Sequence, residues 1–304
     1  MSDPSLEKAT DFSAPTAVPA TTEQQDRWQT VNRAWWEAHP MQYDWKRPLG
    51  SEPGEHAWYE EIDRRFFAAG VIPQSRIPFD VLIPFEALAQ MKVLEIGVGM
   101  GSHAQLLAQA AQQFVGIDLT QAAVAATRRR FALFGLPGGL AQMNAEKLAF
   151  PDRTFDLIWA WGVIHHTAST RAVLDEMRRV LKPAGRALVM VYHRAFVPWY
   201  VYGGLIRGLL LRGFRRHGSI HRLVQSVTDG ALARYYSRDD WRREVSGLFR
   251  IERIAVYGNR AELLPIPPGR MKEALLSLIP EPMFRFWLSY CHQGTLLFSS
   301  LRPE

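Results

Sequence analysis

Short apolar runs alternate with helical patterns between Met91 and His193. The strands that this pattern predicts are VLEI, FVGID, LAQM, FDLIWAW and ALVMVY. The predicted helices between them cover about 102–113, 120–134 and 169–181. Ser102 and Thr120 are polar residues of the kind that caps a helix, and they stand at the start of the first two. Strands that alternate with helices are typical of right-handed βαβ crossovers, so we predict an α/β protein with a doubly wound sheet.

The rest of the chain falls into regions of different texture. Residues 1–25 are rich in Ala, Thr, Pro and Ser, and we predict a disordered tail there. Residues 26–89 are rich in aromatic side chains and interrupted by prolines, which predicts a helical cap in short pieces. The core of 90–193 is followed by a basic, mostly helical insertion at 194–248. Residues 249–304 contain two further predicted strands, FRIERIAVY and GTLLFSSLRP, with a lid segment between them, which makes a seven-stranded, mostly parallel sheet.

Composition places the chain among globular proteins. It has 304 residues, of which 47% are hydrophobic and 22% charged, so a sizeable core can form. The single cysteine, Cys291, excludes an intrachain disulfide and a thiolate metal cluster, and no histidine spacing suits a metal. The N-terminus lacks the features of a secretory signal, and Arg207 interrupts the most apolar run, so we expect a cytoplasmic protein.

The net charge of +6 is concentrated in one stretch. Between Met177 and Thr228 there are ten Lys or Arg residues and no Asp or Glu. The arginines of the insertion within this stretch are Arg194, Arg207, Arg212, Arg215, Arg216 and Arg222. Such a basic block can attract an anionic substrate, an anionic membrane surface or nucleic acid, or it can be a solvated face. A surface-lying amphipathic helix also fits this composition.

The first predicted strand runs into three alternate glycines, Gly97, Gly99 and Gly101. Glycine at a strand-to-helix turn allows the backbone to approach a ligand closely, with helical N–H groups behind it. The dinucleotide-binding spacing would require glycine where Ser102 stands, which argues against a dinucleotide. Asp118 ends the second strand, where a carboxylate can accept hydrogen bonds from ribose hydroxyls; the alternative is that it caps the next helix beside Thr120.

Four sequence blocks then follow in order: VLEIGVGMG, VGID, NAEKLAFPDRTFDLIWAWGVIHHT and EMRRVLKPAGRALVMVY. Together they resemble the class I S-adenosylmethionine-dependent methyltransferases. Within that class they are similar to the small-molecule branch that includes the ubiquinone and menaquinone biosynthesis methyltransferases. The resemblance covers about residues 91–193, and the strand pair at 249–303 more loosely. It implies a Rossmann-like methyltransferase fold, S-adenosyl-L-methionine as cofactor, and methyl transfer to a small-molecule acceptor. The basic block favours an acceptor that is anionic or lipid-like.

The resemblance also implies which residues contact the cofactor. The three glycines would lie at its methionine and ribose side, with Glu95 organising the turn. The family commonly has an acid where this chain has Asn144, whose amide can still accept a hydrogen bond from the adenine amino group. Leu119 and Met143 would sandwich the adenine ring. The implied set is Glu95, Gly97, Gly99, Gly101, Asp118, Leu119, Asn144, Ala145, Glu146 and, closing over from the cap, Tyr43.

The catalytic candidates follow the fourth and fifth strands. His165 and His166 come directly after strand four, at the carboxyl edge where open α/β sheets bind ligands. Tyr192 and His193 end strand five. Histidine can take a proton near neutral pH. The family often has the histidine pair where no general base is assigned to it, so a structural role stays open.

Two motifs that the sequence lacks restrict the kinds of acceptor that are expected. It has no Asp/Asn-Pro-Pro-Tyr/Phe run after strand four and no pair of cysteines, which disfavours nucleic-acid bases as targets. Two alternatives remain: an RNA methyltransferase that uses the basic block, and a noncatalytic S-adenosylmethionine-binding or membrane-surface adaptor. The sequence leaves open the acceptor, the atom that is methylated and the oligomeric state.

Overall fold

The computed structural model describes residues 9, 11–43, 49–69, 72, 76–264 and 269–304. Within them, strands form one sheet in the order β3-β2-β1-β4-β5-β7-β6. The strands are β1 (Lys92–Ile96), β2 (Gln113–Asp118), β3 (Gly139–Gln142), β4 (Phe155–Trp161), β5 (Leu181–Tyr192), β6 (Phe249–Tyr257) and β7 (Leu296–Pro303). Pairs among β1 to β5 are parallel, whereas β7 runs antiparallel to both β5 and β6. The predicted seven-stranded, mostly parallel sheet is therefore confirmed.

Helices flank this sheet. The α-helices of the described residues are α1 (Thr22–Ala38), α2 (His56–Ala69), α3 (Ser102–Ala110), α4 (Gln121–Phe134), α5 (Thr170–Val180), α6 (Gly213–His217), α7 (Ile220–Gln225), α8 (Arg238–Val245), α9 (Arg270–Ser277) and α10 (Glu281–Arg285). Segments of π-helix cover Val197–Leu210 and Phe286–Tyr290, and 3-10 turns cover Phe85–Gln90, Ile164–His166 and Arg260–Leu263. Thr120 caps α4 as predicted, but Gly101 rather than Ser102 precedes α3 as its cap.

Two apolar cores cover the two faces of the sheet. Side chains alternate along a strand, so neighbouring residues enter opposite cores. Leu94 and Ile158 lie in one core, and Val93 and Trp159 lie in the other. All four are buried. A central parallel strand that is covered on both faces appears in the sequence as a continuous apolar run, and these strands were predicted from such runs.

The N-terminal segment is ordered where the sequence predicted a disordered tail. Phe12 is only 3% exposed, and its ring packs edge-on against Trp28 at 5.4 Å. The indole Nε1 of Trp28 donates to Asp11 at 2.8 Å, and Thr21 caps α1. The prediction of disorder for residues 1–25 is therefore wrong for 11–25, because one aromatic anchor holds a segment of otherwise low hydrophobicity. Residues 1–8 and 10 lie outside the described residues.

A buried arginine fastens this segment to the remainder of the fold. The guanidinium of Arg234 is 1% exposed and donates to the carbonyl oxygens of Ala17 at 2.9 Å, Ala168 at 2.6 Å and Thr167. It also lies over the Phe12 ring, 5.3 Å from the centroid. Three backbone carbonyls thus satisfy a buried cation that joins the N-terminus, the turn after β4 and the segment before α8.

The insertion forms a hairpin of helices. The π-helix Val197–Leu210 packs against α6 and α7 through glycines that leave no room for a side chain. A Cβ on Gly208 would lie 2.3 Å from the Phe214 ring, and one on Gly204 would lie 3.0 Å from Ile220. These close approaches fix how the insertion folds back on itself.

Tertiary contacts neutralise part of the basic block. Arg194 forms an ion pair with Asp240 at 2.6 Å, Arg186 pairs with Glu252 at 2.9 Å, and Lys182 pairs with Asp156 at 2.8 Å. We expected no carboxylate to neutralise Arg194, and this expectation is wrong. Its partner, Asp240, lies in α8, 46 residues later in the chain. The excess of positive charge is left to the residues between the π-helix and α7.

Candidate active site

A cavity of about 600 Å³ opens at the carboxyl ends of the parallel strands. One side of the cavity is formed by the turns after β1, β2 and β4, which contribute Gly97, Asp118 and Gly162. Helix α1, helix α2 and the π-helix of the insertion contribute the remaining walls. This is the edge at which open α/β sheets bind ligands.

The glycine turn after β1 requires its glycines. Gly97, Gly99 and Gly101 have φ values of +82°, +51° and +82°, which side chains other than hydrogen rarely tolerate. A Cβ on Gly97 would lie 2.1 Å from Val163, whereas the space in front of Gly99 is open and belongs to the cavity. Gly97 and Gly99 line the cavity, while Gly101 packs behind them against the side chain of Arg130. The turn therefore presents bare backbone to whatever the cavity holds.

Two carboxyl groups stand beside this turn. Asp118 accepts hydrogen bonds from the backbone N–H of Gly99 at 3.1 Å and of Thr120 at 2.9 Å, and burial raises the pKa of its carboxyl. Glu95 is 2% exposed, and burial together with the nearby Asp118 raises its pKa well above the ordinary value. Within the described residues the Oε2 atom of Glu95 has no hydrogen-bond partner. A buried oxygen without a partner on a cavity wall fits a ligand that brings hydrogen-bond donors.

An ion pair between Arg130 and Asp63 holds helix α2 of the predicted cap against the glycine turn after β1. The guanidinium of Arg130 is fully buried and pairs with the Asp63 carboxylate of α2, with one contact at 3.0 Å. It also donates to the carbonyl oxygen of Met100 at 3.2 Å. Arg130 of α4 therefore connects helix α2 to the backbone of the glycine turn.

Some residues of the loop after β3 line the cavity, and others hold helix α1. Met143 and Ala145 of this loop line the cavity, as does Leu119, which directly follows β2. Asn144 and Glu146 do not. The Oδ1 of Asn144 accepts from the Nε2 of Gln29 at 2.8 Å, and Glu146 accepts from the Nε2 of Gln25 at 2.7 Å. The structure therefore corrects these two positions from the cavity wall to contacts that hold α1.

Helix α1 supplies wall residues that sequence reasoning missed. Gln29, Asn32 and Trp36 line the cavity. Their spacing of three and then four residues places them on one face of a helix, and that spacing was the available signal. The carboxylate of Glu37 accepts from the backbone N–H groups of Gln121 at 2.9 Å and Ala122 at 2.8 Å, which docks α1 onto the N-terminus of α4.

His166 and Tyr192 also line the cavity. The Nδ1 of His166 lies 2.8 Å from the carbonyl oxygen of Leu232. Because a carbonyl oxygen only accepts, Nδ1 donates this hydrogen bond, and in the neutral ring the lone pair is therefore on Nε2. Burial raises the pKa of Tyr192 well above its ordinary value, so its phenol stays protonated and can donate. Tyr43 also lines the cavity, with its ring 5.0 Å from Phe66, and burial raises the pKa of its phenol.

The structure does not bring His165 and His193 to the cavity. His165 is fully buried behind Tyr192, with ring centroids 3.9 Å apart, and burial lowers its pKa well below the ordinary value. The Nδ1 of His193 donates to the carbonyl oxygen of Gly294 at 2.8 Å, because a carbonyl oxygen can only accept. Burial lowers the pKa of His193 to about 4. Successive residues of a 3-10 turn point about 120° apart, which separates His165 from its neighbour.

His103 is a further wall residue that the sequence did not single out. Its imidazole lies among aromatic rings, 4.7 Å from Phe79 and 5.0 Å from Trp159 between centroids. Burial lowers its pKa to about 3, so the ring is neutral near pH 7. The remaining wall is mostly aromatic or aliphatic, with Arg207 and Asp229 as charged members. Among the described residues, no group of three or more His, Cys, Asp or Glu is arranged to hold a metal ion.

The sheet with its antiparallel β7, and the glycine turn beside Asp118, define the fold of the class I S-adenosylmethionine-dependent methyltransferases. Residues 94–189 match the family described as "Methyltransferase domain". The chain thus contains a methyltransferase domain, and methyltransferases of this family take S-adenosylmethionine as their methyl donor. The resemblance seen in the four sequence blocks is confirmed.

Named relatives agree with this class. The chain is 38% identical over 125 residues to the ubiquinone/menaquinone biosynthesis C-methyltransferase UbiE of Bordetella avium (strain 197N), covering 38% of this chain and 48% of that protein. It is 33% identical over 109 residues to the uncharacterized methyltransferase YcgJ of Bacillus subtilis (strain 168), covering 36% and 43%. The chain therefore spans about half the length of the curated relatives it matches.

A solved structure extends the likeness in fold over nearly the whole chain. The geranyl diphosphate C-methyltransferase of Streptomyces coelicolor A3(2), solved with S-adenosyl-L-homocysteine, is 13% identical. It aligns with 95% of this chain and 100% of that chain at a TM-score of 0.54. The shared fold therefore includes the regions on either side of residues 94–189.

Proposed function

We propose that the protein is a methyltransferase that moves a methyl group from S-adenosylmethionine to a small-molecule acceptor enclosed in this cavity. The observation that carries the proposal is the continuity of the cavity. One space of about 600 Å³ joins the glycine turn and Asp118 to the wall formed by His166 and Tyr192. That volume lies within the usual range for small-molecule sites, roughly 300–1,000 Å³.

The residues at the cofactor end fit S-adenosylmethionine. Gly99 offers open space for close approach, Asp118 offers a carboxylate to ribose hydroxyls, and Glu95 has an oxygen without a partner among the described residues. When bound, this cofactor supplies an electrophilic methyl group on a sulfonium. The protein's own task is then to hold an acceptor in line and to exclude water, and orientation of this kind can contribute roughly 7–11 kcal/mol.

His166 is the residue we assign to proton movement. A hydroxyl acceptor loses its proton on methylation, and the Nε2 lone pair of His166 can receive it. The hydrogen bond from Nδ1 to Leu232 fixes the tautomer that makes this geometry available. Tyr192, with its raised pKa, would donate a hydrogen bond to the acceptor rather than remove a proton. A carboxylate or thiolate acceptor would need no base.

The cavity wall favours an acceptor with an apolar body. Phe66, Trp161 and Leu296 are typical of the wall beyond the cofactor end. Arg207 stands on the same wall and would pair with an anionic group at one end of such an acceptor. An anionic or lipid-like small molecule meets both requirements.

Transfer of label tests the proposal. The protein is incubated with methyl-labelled S-adenosylmethionine and a cellular extract separated into small-molecule, lipid and RNA fractions, and the labelled product is identified. His166→Asn keeps a donor in the position of Nδ1 but has no group at Nε2. For a hydroxyl acceptor we expect its turnover to fall about 10²–10⁴-fold with cofactor affinity unchanged.

His56→Asn is the matched control, since His56 is exposed and does not line the cavity. It is expected to retain full turnover. Label found only in RNA would overturn the small-molecule assignment. Cofactor binding with no labelled product in any fraction would support the noncatalytic alternative instead.

A further inference from the structure

The π-helix Val197–Leu210 has two different faces. One face lines the cavity with Pro198, Tyr202 and Arg207. The other carries Phe196 just before the helix and then Tyr200, Leu205, Leu209 and Leu210, all exposed. The inner set, and the outer set from Phe196 to Leu209, recur every four or five residues, which matches the i→i+5 turn of a π-helix. A single helix therefore separates the interior of the site from the outside of the molecule.

The outer face exposes large apolar side chains. We call it the apolar ridge and define it as Phe196, Tyr200, Leu205, Leu209, Leu210 and Leu211. Leu209, Leu210 and Leu211 are 62%, 65% and 72% exposed. Single exposed apolar residues are ordinary, but a contiguous run of them marks a surface that meets a partner.

Positive charge follows the ridge immediately. Arg212, Arg215 and Arg216 are exposed at the start of and along α6, and Arg222 is exposed on α7. None of the four is in an ion pair within the part of the chain that the structure describes. No Asp or Glu occurs between Met177 and Thr228 to neutralise them. The partner that complements this surface is anionic.

We propose that the apolar ridge and the arginines that follow it form a docking surface for an anionic lipid bilayer. Leucine and aromatic side chains would enter the boundary between headgroups and acyl chains, and the guanidinium groups would meet lipid phosphates. The interior face of the same helix is cavity wall, so docking brings the cavity within about one helix diameter, roughly 10 Å, of the membrane. Among the described residues no helix has the length and apolarity to cross a bilayer.

The apolar ridge distinguishes a bilayer from nucleic acid. Nucleic acid would use the arginines, because phosphate contacts dominate its affinity, but it has no place for a row of exposed leucines. A bilayer uses both. The proposal goes beyond methyl transfer, since lipid binding can be measured without cofactor or acceptor.

The test is sedimentation of the full chain with vesicles. We compare vesicles of phosphatidylcholine with vesicles of phosphatidylcholine and phosphatidylglycerol in equal amounts, at low and high salt. The charge variant is Arg212→Gln/Arg215→Gln/Arg216→Gln. The ridge variant is Leu209→Ser/Leu210→Ser/Leu211→Ser. All positions are exposed, and the melting temperature and S-adenosylhomocysteine binding of each variant verify that it is folded.

The controls match each change in kind. Arg242→Gln/Arg243→Gln removes exposed arginines that are ion-paired on α8, and Val18→Ser removes an apolar side chain that is 65% exposed elsewhere. We expect the protein to bind the anionic vesicles and not the neutral ones, with weaker binding as salt rises. The charge variant should lose on the order of 100-fold in affinity. The ridge variant should lose a similar factor at every salt concentration, and both controls should bind as the parent does.

Three results would overturn the proposal. The first is an absence of binding to anionic vesicles by the parent protein. The second is a ridge variant that binds as tightly as the parent, or controls that lose as much as the variants. The third is tighter binding to a mixed-sequence RNA than to the vesicles at the same salt, which would assign the surface to nucleic acid.

Discussion

Alanine at three glycines separates what the turn after β1 does for folding from what it does for the cofactor. Gly97, Gly99 and Gly135 share a left-handed backbone, with φ values of +82°, +51° and +61°. They differ in what a methyl group would meet. At Gly97 it would lie 2.1 Å from Val163, while at Gly99 and Gly135 nothing lies within 4 Å. Gly99 faces the cavity, and Gly135 ends α4 away from it.

The magnitudes follow from these surroundings. A left-handed alanine costs about 1–2 kcal/mol, which is the whole effect expected for Gly135→Ala on the free energy of unfolding. Gly99→Ala should cost the same in the free protein. Gly97→Ala adds an overpacked contact of about 1–3 kcal/mol, for a total of about 2–5 kcal/mol. For cofactor binding we expect Gly99→Ala to have the larger effect, because its methyl group occupies space that the ligand needs. An overpacking cost of about 1–3 kcal/mol in the complex corresponds to a roughly 5–150-fold loss of affinity.

Two measurements distinguish the effect on folding stability from the effect on cofactor affinity. Urea unfolding of the free proteins gives the stability series, and calorimetric titration with S-adenosylhomocysteine gives affinity. A ligand at 100 times its Kd raises the free energy of unfolding by about 2.7 kcal/mol. Gly135→Ala should keep this full gain. A roughly 5–150-fold weaker affinity should remove about 0.9–2.4 kcal/mol of it from Gly99→Ala at the same ligand concentration.

Gly99→Ala with parental affinity would mean that the cofactor does not lie against this turn. Gly97→Ala as stable as Gly135→Ala would mean that the contact with Val163 does not constrain the turn. Either result would refute the reasoning from which the site is built.

Three further predictions concern the anchor, the ribose side and pH. Phe12→Ala should lower the free energy of unfolding by about 3–5 kcal/mol and weaken cofactor binding, because α1 loses the ring that holds it through Trp28; urea unfolding and calorimetry measure both. Asp118→Ala should weaken S-adenosylmethionine binding by about 1–3 kcal/mol in calorimetry, with no heat from NAD in either protein. Burial raises the pKa of Glu262 from its ordinary 4.5 to about 7, so the folded protein keeps a proton that the unfolded chain releases, and stability falls as pH rises through that window. Glu262→Gln should remove up to about 3 kcal/mol of that fall between about pH 5 and pH 8 in urea unfolding.

The sheet could be predicted from the sequence because its signals are local. Val93 and Leu94 enter opposite cores, so a strand covered on both faces appears as an unbroken apolar run. The left-handed glycines and the Thr120 cap are likewise set by neighbouring residues. Local chemistry of this kind located the turn and Asp118 at the cavity.

The errors arose where long-range contacts decide. Phe12 stands alone in a polar segment; Trp28 packs against its ring, but His221, which also contacts the ring, lies 209 residues away. Arg194 has no acid near it in the sequence, yet Asp240 reaches it in the fold. His165 and His166 differ by one step along a 3-10 turn, and that rotation separates a buried ring from one on the cavity wall.

The contacts of the N-terminal segment have a consequence for synthesis on the ribosome. The carbonyl of Phe12 meets His221 across 209 residues, and the carbonyl of Ala17 meets Arg234 across 217. The segment emerges more than two hundred residues before these partners, and contacts of such separation form slowly. Strands β1 to β5 can therefore assemble around the turn before the roof exists. A nascent chain that ends before Arg234 would present an open crevice, and the cavity is enclosed only when this early segment is joined to residues made more than two hundred positions later.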